Sequence, residues 1–323
     1  MFIGLILFIF TTSLYFIHLG ITFLLITRLL HGITLGIAST ATGTIVAHII
    51  PKRRKGEGIG YYSMSSTLST AIGPFIGLYM SQHTSTQLIF SLCLALGIFS
   101  LITAFFVNVP ALEDSTKKSE IKGVKLSHFI EPKAVPIALI TLIIGFCYSS
   151  VLSFINFYAI EIDLVGAASF FFLVYSIAVL LSRPFTGRIM DVKGANYVMY
   201  PSFILFTAGM LLLGSAHSSI TLLVAGILIG LGFGNMQSCT QAIAVKLTPP
   251  HRMGLAKSTF FIFLDAGLGF GPYLLRFGPY LLRFFLPFTS YSTLYMILGV
   301  VVLVSSGLYF LLYGKKERLV SML

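Results

Sequence analysis

Residues 134–160 read AVPIALITLIIGFCYSSVLSFINFYAI, an apolar run without a single charged side chain. As an α-helix rising 1.5 Å per residue it would be roughly 40 Å long, more than the ~30 Å hydrocarbon thickness of a bilayer. A surface helix of a soluble domain needs a polar outer face, and this run has none. Immediately upstream lies the only long hydrophilic stretch, 110–133, with Glu113, Asp114, Lys117, Lys118, Glu120, Lys122, Lys125, Glu131 and Lys133. Glu161 and Asp163 follow it, and then another apolar run begins.

Working outward, apolar runs of at least about 18 residues place spans near 1–19, 21–49, 58–80 and 87–108. Beyond the polar stretch they fall near 134–160, 166–186, 195–215, 219–247, 256–276 and 290–313. The expectation is an all-α membrane fold of about ten transmembrane helices. It divides into a partial N-terminal bundle (1–109), an inter-bundle loop (110–133), a six-helix C-terminal bundle (134–314) and a tail (315–323). Composition agrees, because 56% hydrophobic and 10% charged residues leave too little polar surface to coat a soluble globule of 323 residues. Membrane lipid is therefore the expected solvent.

The basic residues occupy every second loop: Lys52, Arg53, Arg54 and Lys55; the lysines of 110–133; Arg183, Arg188 and Lys193; Lys246, Arg252 and Lys257; Lys315, Lys316 and Arg318. The intervening loops hold His18, His83, Glu161 with Asp163, and His217. The positive-inside rule then places the basic loops and both ends of the chain in the cytoplasm, in a multi-pass protein of the cell membrane. This topology accounts for the formal charge of +11 without a nucleic-acid partner. Residues 1–19 lack a basic n-region and a small-residue cleavage site, so a retained helix is expected there rather than a signal peptide. Cys93, Cys147 and Cys239 sit in apolar stretches with no CxxC pair and read as packing residues. No metal or cofactor is expected. The absence of GxxxxGK[ST], HExxH and GxSxG argues against an ATP-driven pump and against a membrane enzyme.

A single offset of 198 residues carries Gly32 onto Gly230, Gly36 onto Gly234, Pro51 onto Pro249, Arg54 onto Arg252, Gly73 onto Gly271 and Pro74 onto Pro272. All six are packing or turn residues, so the two halves read as homologous copies. Under this offset the helices at 134–160 and 166–186 have no partners in the first half. The expectation is a four-plus-six arrangement in which two front helices of a twelve-span fold are absent. A second irregularity is the tandem repeat FGPYLLR at 270–276 and FGPYLLR at 277–283. Seven residues add roughly 10 Å of helix and fall about 20° short of two full turns. The added segment is expected at the outer interface, where Arg276 and Arg283 can snorkel; a gene lesion or sequencing artefact is the alternative.

Three motifs carry a family likeness. RLLHGITLG at 28–36 holds Arg28, Gly32 and Gly36 in RxxxGxxxG spacing. Gly60, Ser69, Gly73, Pro74 and Gly77 follow GxxxxxxxxSxxxGPxxG, and Gly187, Asp191 and Gly194 follow GxxxDxxG with Arg183 and Arg188 alongside. These resemble the fourth-helix signature, the fifth-helix antiporter motif and the cytoplasmic loop signature of the major facilitator superfamily. The chain departs from the family at Ser69, usually glycine, at Leu78, and at Ala195 and Asn196, where a basic pair is common. The resemblance implies a major-facilitator-type bundle whose first four spans correspond to the third to sixth helices of the family.

It also implies a drug/proton antiporter: an alternating-access exporter of a small amphipathic compound, taking protons as second substrate and expected as a monomer. A metabolite or siderophore exporter, a facilitator and an inactive fragment are the alternatives. In antiporters of the family the arginine equivalent to Arg28 is implicated in proton coupling; otherwise Arg28 pins helices together. Asp265, the one acid well inside a span, is a proton-carrying candidate or a fixed partner of a basic residue. Gly32, Gly36, Gly230, Gly234, Gly271 and Pro272 are helix-packing candidates, and Gly60, Ser69, Gly73, Pro74 and Gly77 seal one end of a pathway. Asp191 with Arg183, Gly187, Arg188 and Gly194 is a gating latch. Asn156, Tyr158, Asn235, Gln237 and Gln241, with Phe154 and Tyr175, line a substrate cavity or bond helix to helix. His31 reads as a packing or polar-contact residue.

Overall fold

The run at 134–160 forms one helix, Val135–Glu161, with Pro136 in its first turn, where a missing N–H would have had no helical partner. The structure, a computed structural model, describes residues 1–17, 19–107, 129–282, 290–315 and 317. His18, most of the polar stretch 110–133, Arg283, Lys316 and Arg318 lie outside the described residues.

In chain order the helices are α1 (Phe2–Ser13), α2 (Ile21–Ile49), α3 (Lys55–His83), α4 (Thr86–Phe105), α5 (Val135–Glu161) and α6 (Val165–Lys193). They continue with α7 (Asn196–Gly214), α8 (Ser219–Lys246), α9 (Met253–Leu282) and α10 (Tyr291–Tyr309). α8 contains a π-helical turn at Gly230–Gly234, and α10 ends in another at Phe310–Gly314. Among the described residues, eight of these helices are long and apolar enough to cross a membrane. The exceptions are α1, which with its 3-10 turn ends at Phe16, and α3, which is rich in glycine, serine and threonine.

The chain forms two compact units. The first contains α1, α2, α4 and α3 from Ile72 onward. Here the Thr11 and Thr34 hydroxyls meet at 3.0 Å, joining α1 to α2. His31 lies within hydrogen-bond reach of Thr12 (3.4 Å) and Tyr15 (3.3 Å), and the Tyr15 ring stacks on Phe90 of α4.

The second unit contains α5 to α10 together with Ile50–Ala71, the connection into α3 and its beginning. Its most extensive helix pair is α5 with α9. Gly267 lies against the Leu142 carbonyl and Gly271 against the Ser149 hydroxyl, each without room for a Cβ. Lipid is as apolar as a leucine side chain, so helices gain little there from burial alone; close backbone approach and dispersion hold the pair. Along α8, Gly230 sits against the Tyr175 carbonyl and Gly234 against Val179, both on α6. α10 packs on α7, with Tyr309 in contact with the rings of Tyr200 and Phe203.

Candidate functional site

α6 runs seven residues past the end expected from the apolar run. Gly187, Arg188 and Asp191 therefore occupy its last turns, and the connection to α7 is only Gly194 and Ala195. The correction has a physical cause. The residues after 186 lie beyond the apolar span, yet Arg188, Met190 and Lys193 are good helix formers, and the helix stops where Gly194 takes φ = 100°, a conformation only glycine adopts readily.

Asp191 is the centre of the site. Its Oδ1 accepts from the Gly56 backbone N–H (2.8 Å) and from Lys246 Nζ (2.7 Å), while Oδ2 accepts from the Glu57 N–H (2.8 Å). Gly56 and Glu57 open α3, so the carboxylate satisfies two orphan donors and faces the positive end of the helix dipole. The Asp191 side chain is 6% exposed and that of Lys246 31%. Each hydrogen bond to such a charged group is worth roughly 1.5–3 kcal/mol. The approach depends on Gly56 and Gly187: a Cβ on Gly187 would stand 2.8 Å from the Glu57 Cα, and one on Gly56 2.8 Å from the Gly187 carbonyl oxygen.

Three neighbouring contacts complete this end of the unit. Arg54 makes a two-pronged hydrogen bond to Glu57 (2.8 and 2.7 Å), and that bond holds the Glu57 carboxyl below its usual range. Arg252 pairs with Glu131 at 2.7 Å. Glu317 accepts from the N–H groups of Ala195 (2.6 Å) and Asn196 (2.9 Å), capping α7, while Asn196 donates to the Gly314 carbonyl. The backbone of Ala195 and Asn196, where a basic pair is common in the family, is thus held by an acid from beyond α10.

Of the other predicted residues, Gly60 lies beside Arg183 and Gly187, which adds the first glycine of the antiporter-like motif to this site. Ser69 and Gly73 are exposed, Gly77 is half-buried, and Pro74 lies within the same helix. Among the described residues, Gly32, Gly36, Gly73 and Gly77 have no neighbour within 4 Å of a Cβ position. Arg28, on α2, and Asp265, on α9, are both exposed and belong to different units. Pro272 is half-buried. Arg188 is exposed. Arg183 is 2% exposed and does not pair with Asp191, whose cation is Lys246.

Asn235 is bonded between helices: its Nδ2 donates to Ser182 (3.0 Å) and to the Leu231 carbonyl (2.8 Å), and its Oδ1 accepts from Thr186 (3.0 Å). Tyr158 donates to the Gly214 carbonyl, Gln241 is buried, Gln237 is half-buried and Asn156 is exposed. A cavity of about 420 Å³ lined by Tyr15, Gly20, Phe23 and Thr27 contains none of the predicted residues.

Lys246 and Lys257 are expected from the sequence only as basic loop residues, and Glu317 carries no motif signature. Lys257 is buried, its Nζ 4.6 Å from the Tyr62 ring centroid and 5.5 Å from that of Phe261. The available signal for it was a lysine one turn inside an apolar helix.

The pattern that defines the Major Facilitator Superfamily matches residues 1–272. The chain belongs to that superfamily. Its relatives include an uncharacterized MFS-type transporter of Methanocaldococcus jannaschii, 26% identical over 257 residues, 76% of this chain and 65% of the relative. Multidrug resistance protein 1 of Bacillus subtilis is 26% identical over 287 residues, 84% of this chain and 70% of that one. This superfamily member therefore spans about two thirds of the length of those proteins. The solved structure of the human organic anion transporter MFSD10 (TETRAN) superposes with a TM-score of 0.71 over 95% of this chain and 75% of its own. At 14% identity that likeness is one of fold. The superfamily consists of transporters rather than enzymes, and a multi-pass membrane protein surrounded by lipid follows from it.

Proposed function

We propose that the chain is a secondary active transporter of the cell membrane, exporting a small amphipathic compound against proton influx by alternating access. Its C-terminus and basic loops face the cytoplasm. The observation that carries this reading is the Asp191 latch. A single carboxylate ties the first turn of α3 to the end of α6 and to Lys246 through three hydrogen bonds. Such a contact can break and re-form as a unit during a cycle, and two of its three donors are backbone groups that need no side-chain rearrangement. Export is supported by the GxxxxxxxxSxxxGPxxG pattern on the same helix and by similarity to Multidrug resistance protein 1. Arg28 and Asp265 are the proposed proton-coupling residues, and the protein acts as a monomer.

Flux of small fluorescent amphiphiles from vesicles carrying the full chain, with and without an inward proton gradient, tests this. Gradient-dependent efflux is expected, with loss of the gradient dependence in Asp265→Asn. Equal flux with and without the gradient would make the protein a facilitator. Undiminished gradient-driven flux in Asp265→Asn would remove that residue from coupling.

A further inference from the structure

Among the described residues, Arg183 is the largest of the fully buried side chains, 2% exposed, and neither its Nε nor its Nη1 meets a hydrogen-bond acceptor. The carboxylates among the described residues of its unit are each bonded to other partners or exposed. Glu57 is held by Arg54, Glu131 by Arg252, Asp191 by Lys246 and the start of α3, and Glu317 by the start of α7. Glu161, Asp163 and Asp265 are exposed. Tyr175, also buried, lies two turns earlier on α6. A second buried cation, Lys257, has aromatic faces for company but no acid. Both cations belong to helices that meet one short stretch of α3: the Arg183 carbonyl is 3.7 Å from a Cβ position on Gly60, and Tyr62 carries Lys257 on its ring.

An uncompensated guanidinium inside a membrane bundle is costly, and a residue retained at such cost marks a place where charge is supplied by something that binds. The planar guanidinium fork matches a carboxylate or phosphate with two parallel hydrogen bonds. A helical side chain leans toward the N-terminus of its helix. Arg183 thus leans away from the Asp191 end of α6 toward Tyr175. The Gly56–Gly187 contact and the Asp191 bonds hold the beginning of α3 against this stretch of α6.

We propose that Arg183 receives the anionic group of the transported compound, so that the substrate is an amphipathic anion: a carboxylate or phosphate monoester on an apolar body. This rests on the export reading given above. The test uses the full chain in phosphatidylcholine nanodiscs, with 1-naphthylacetate and its uncharged amide as probes, comparing wild type, Arg183→Gln and Arg183→Lys. Wild type is expected to bind the acid about 10-fold more tightly than the amide. Arg183→Gln should erase the preference and Arg183→Lys retain most of it. Ligand-free Arg183→Gln should melt at or above the wild-type temperature, because an unpaired buried charge has gone.

Four results would overturn the proposal: equal affinity for acid and amide in wild type, no binding of either, a preference that survives Arg183→Gln, or one abolished by phosphatidylglycerol in the nanodisc, which would assign the site to a lipid phosphate. A lower melting temperature in Arg183→Gln with the preference unchanged would make the arginine purely structural. Gradient-driven export of neutral amphiphiles with no advantage for the acid would leave the export reading standing and remove this one. Arg183-dependent binding of the acid without gradient-driven flux would do the reverse.

Discussion

At Asp191 one carboxylate serves three donors, and its replacement separates charge from shape. Asp191→Asn keeps the volume but gives up the ion pair and one acceptor, leaving Lys246 without a counter-charge and one backbone N–H unanswered. Vesicle flux is expected to fall about tenfold or more, while Lys246→Met, which leaves both bonds to α3 in place, should cost less. Glu57 makes a pH prediction with a definite sign. Its carboxyl is held below the usual range by the Arg54 hydrogen bond, so the pair stabilises fully above the unfolded carboxyl value of about 4.5 and is lost as pH falls through the lower folded value. The melting difference between wild type and Glu57→Gln should therefore be flat from pH 6 to 8 and vanish in acid. The GxxxDxxG spacing made Asp191 visible in the sequence, but its partners were hidden, because the N–H groups of Gly56 and Glu57 carry no side-chain signature. Arg183 was legible in principle. It lies on the stripe Ser176, Val179, Arg183, Gly187 and Met190, all buried, whereas Arg188 is five residues on and about 140° around the helix.

Among the elements, α6 shows best how a boundary is made. Apolar content ends near 186, yet the helix persists until Gly194 turns it, and a Cβ at Gly194 would also stand 3.1 Å from Glu317 Oε1. Gly194→Ala should destabilise by roughly 1–3 kcal/mol through the forced positive φ, read as a fall in melting temperature. Glu317→Gln, which weakens only a cap, should lower it less. Gly187→Ala is expected to reproduce the flux defect of Asp191→Asn with the carboxylate intact, since its Cβ would push α3 away. Most helix extents were readable from apolar runs, α2 and α5 nearly to the residue. The extension of α6 and the π turns were not, because hydropathy reports the solvent around a segment and not where its backbone hydrogen bonds stop.

For the whole molecule, orientation is the property that loop charge predicts and packing does not. A fluorescent protein fused after Leu323 should fold and fluoresce in the cytoplasm, and alkaline phosphatase inserted after His217 should be active outside the cell membrane; the reverse pair of results would invert the topology. The superfamily was legible from three motifs and one repeat offset, each a local pattern. The division of α3 between two compact units was not, since nothing in KGEGIGYYSMSSTLSTAIGPFIGLYMSQH marks a change at Ala71. The π turn at Gly230–Gly234 sits just before Asn235, Gln237 and Gln241. A π turn is an α-helix holding one surplus residue; three of its five residues here are glycines, and Phe233 holds the turn by stacking on the Tyr148 ring at 3.9 Å. Were the residue passed along α8 toward Lys246, the segment it crossed would swivel about 100° and slide about 1.5 Å. Asn235 would then be carried off its Ser182 and Thr186 partners, making this stretch of the helix a ratchet with a one-residue tooth.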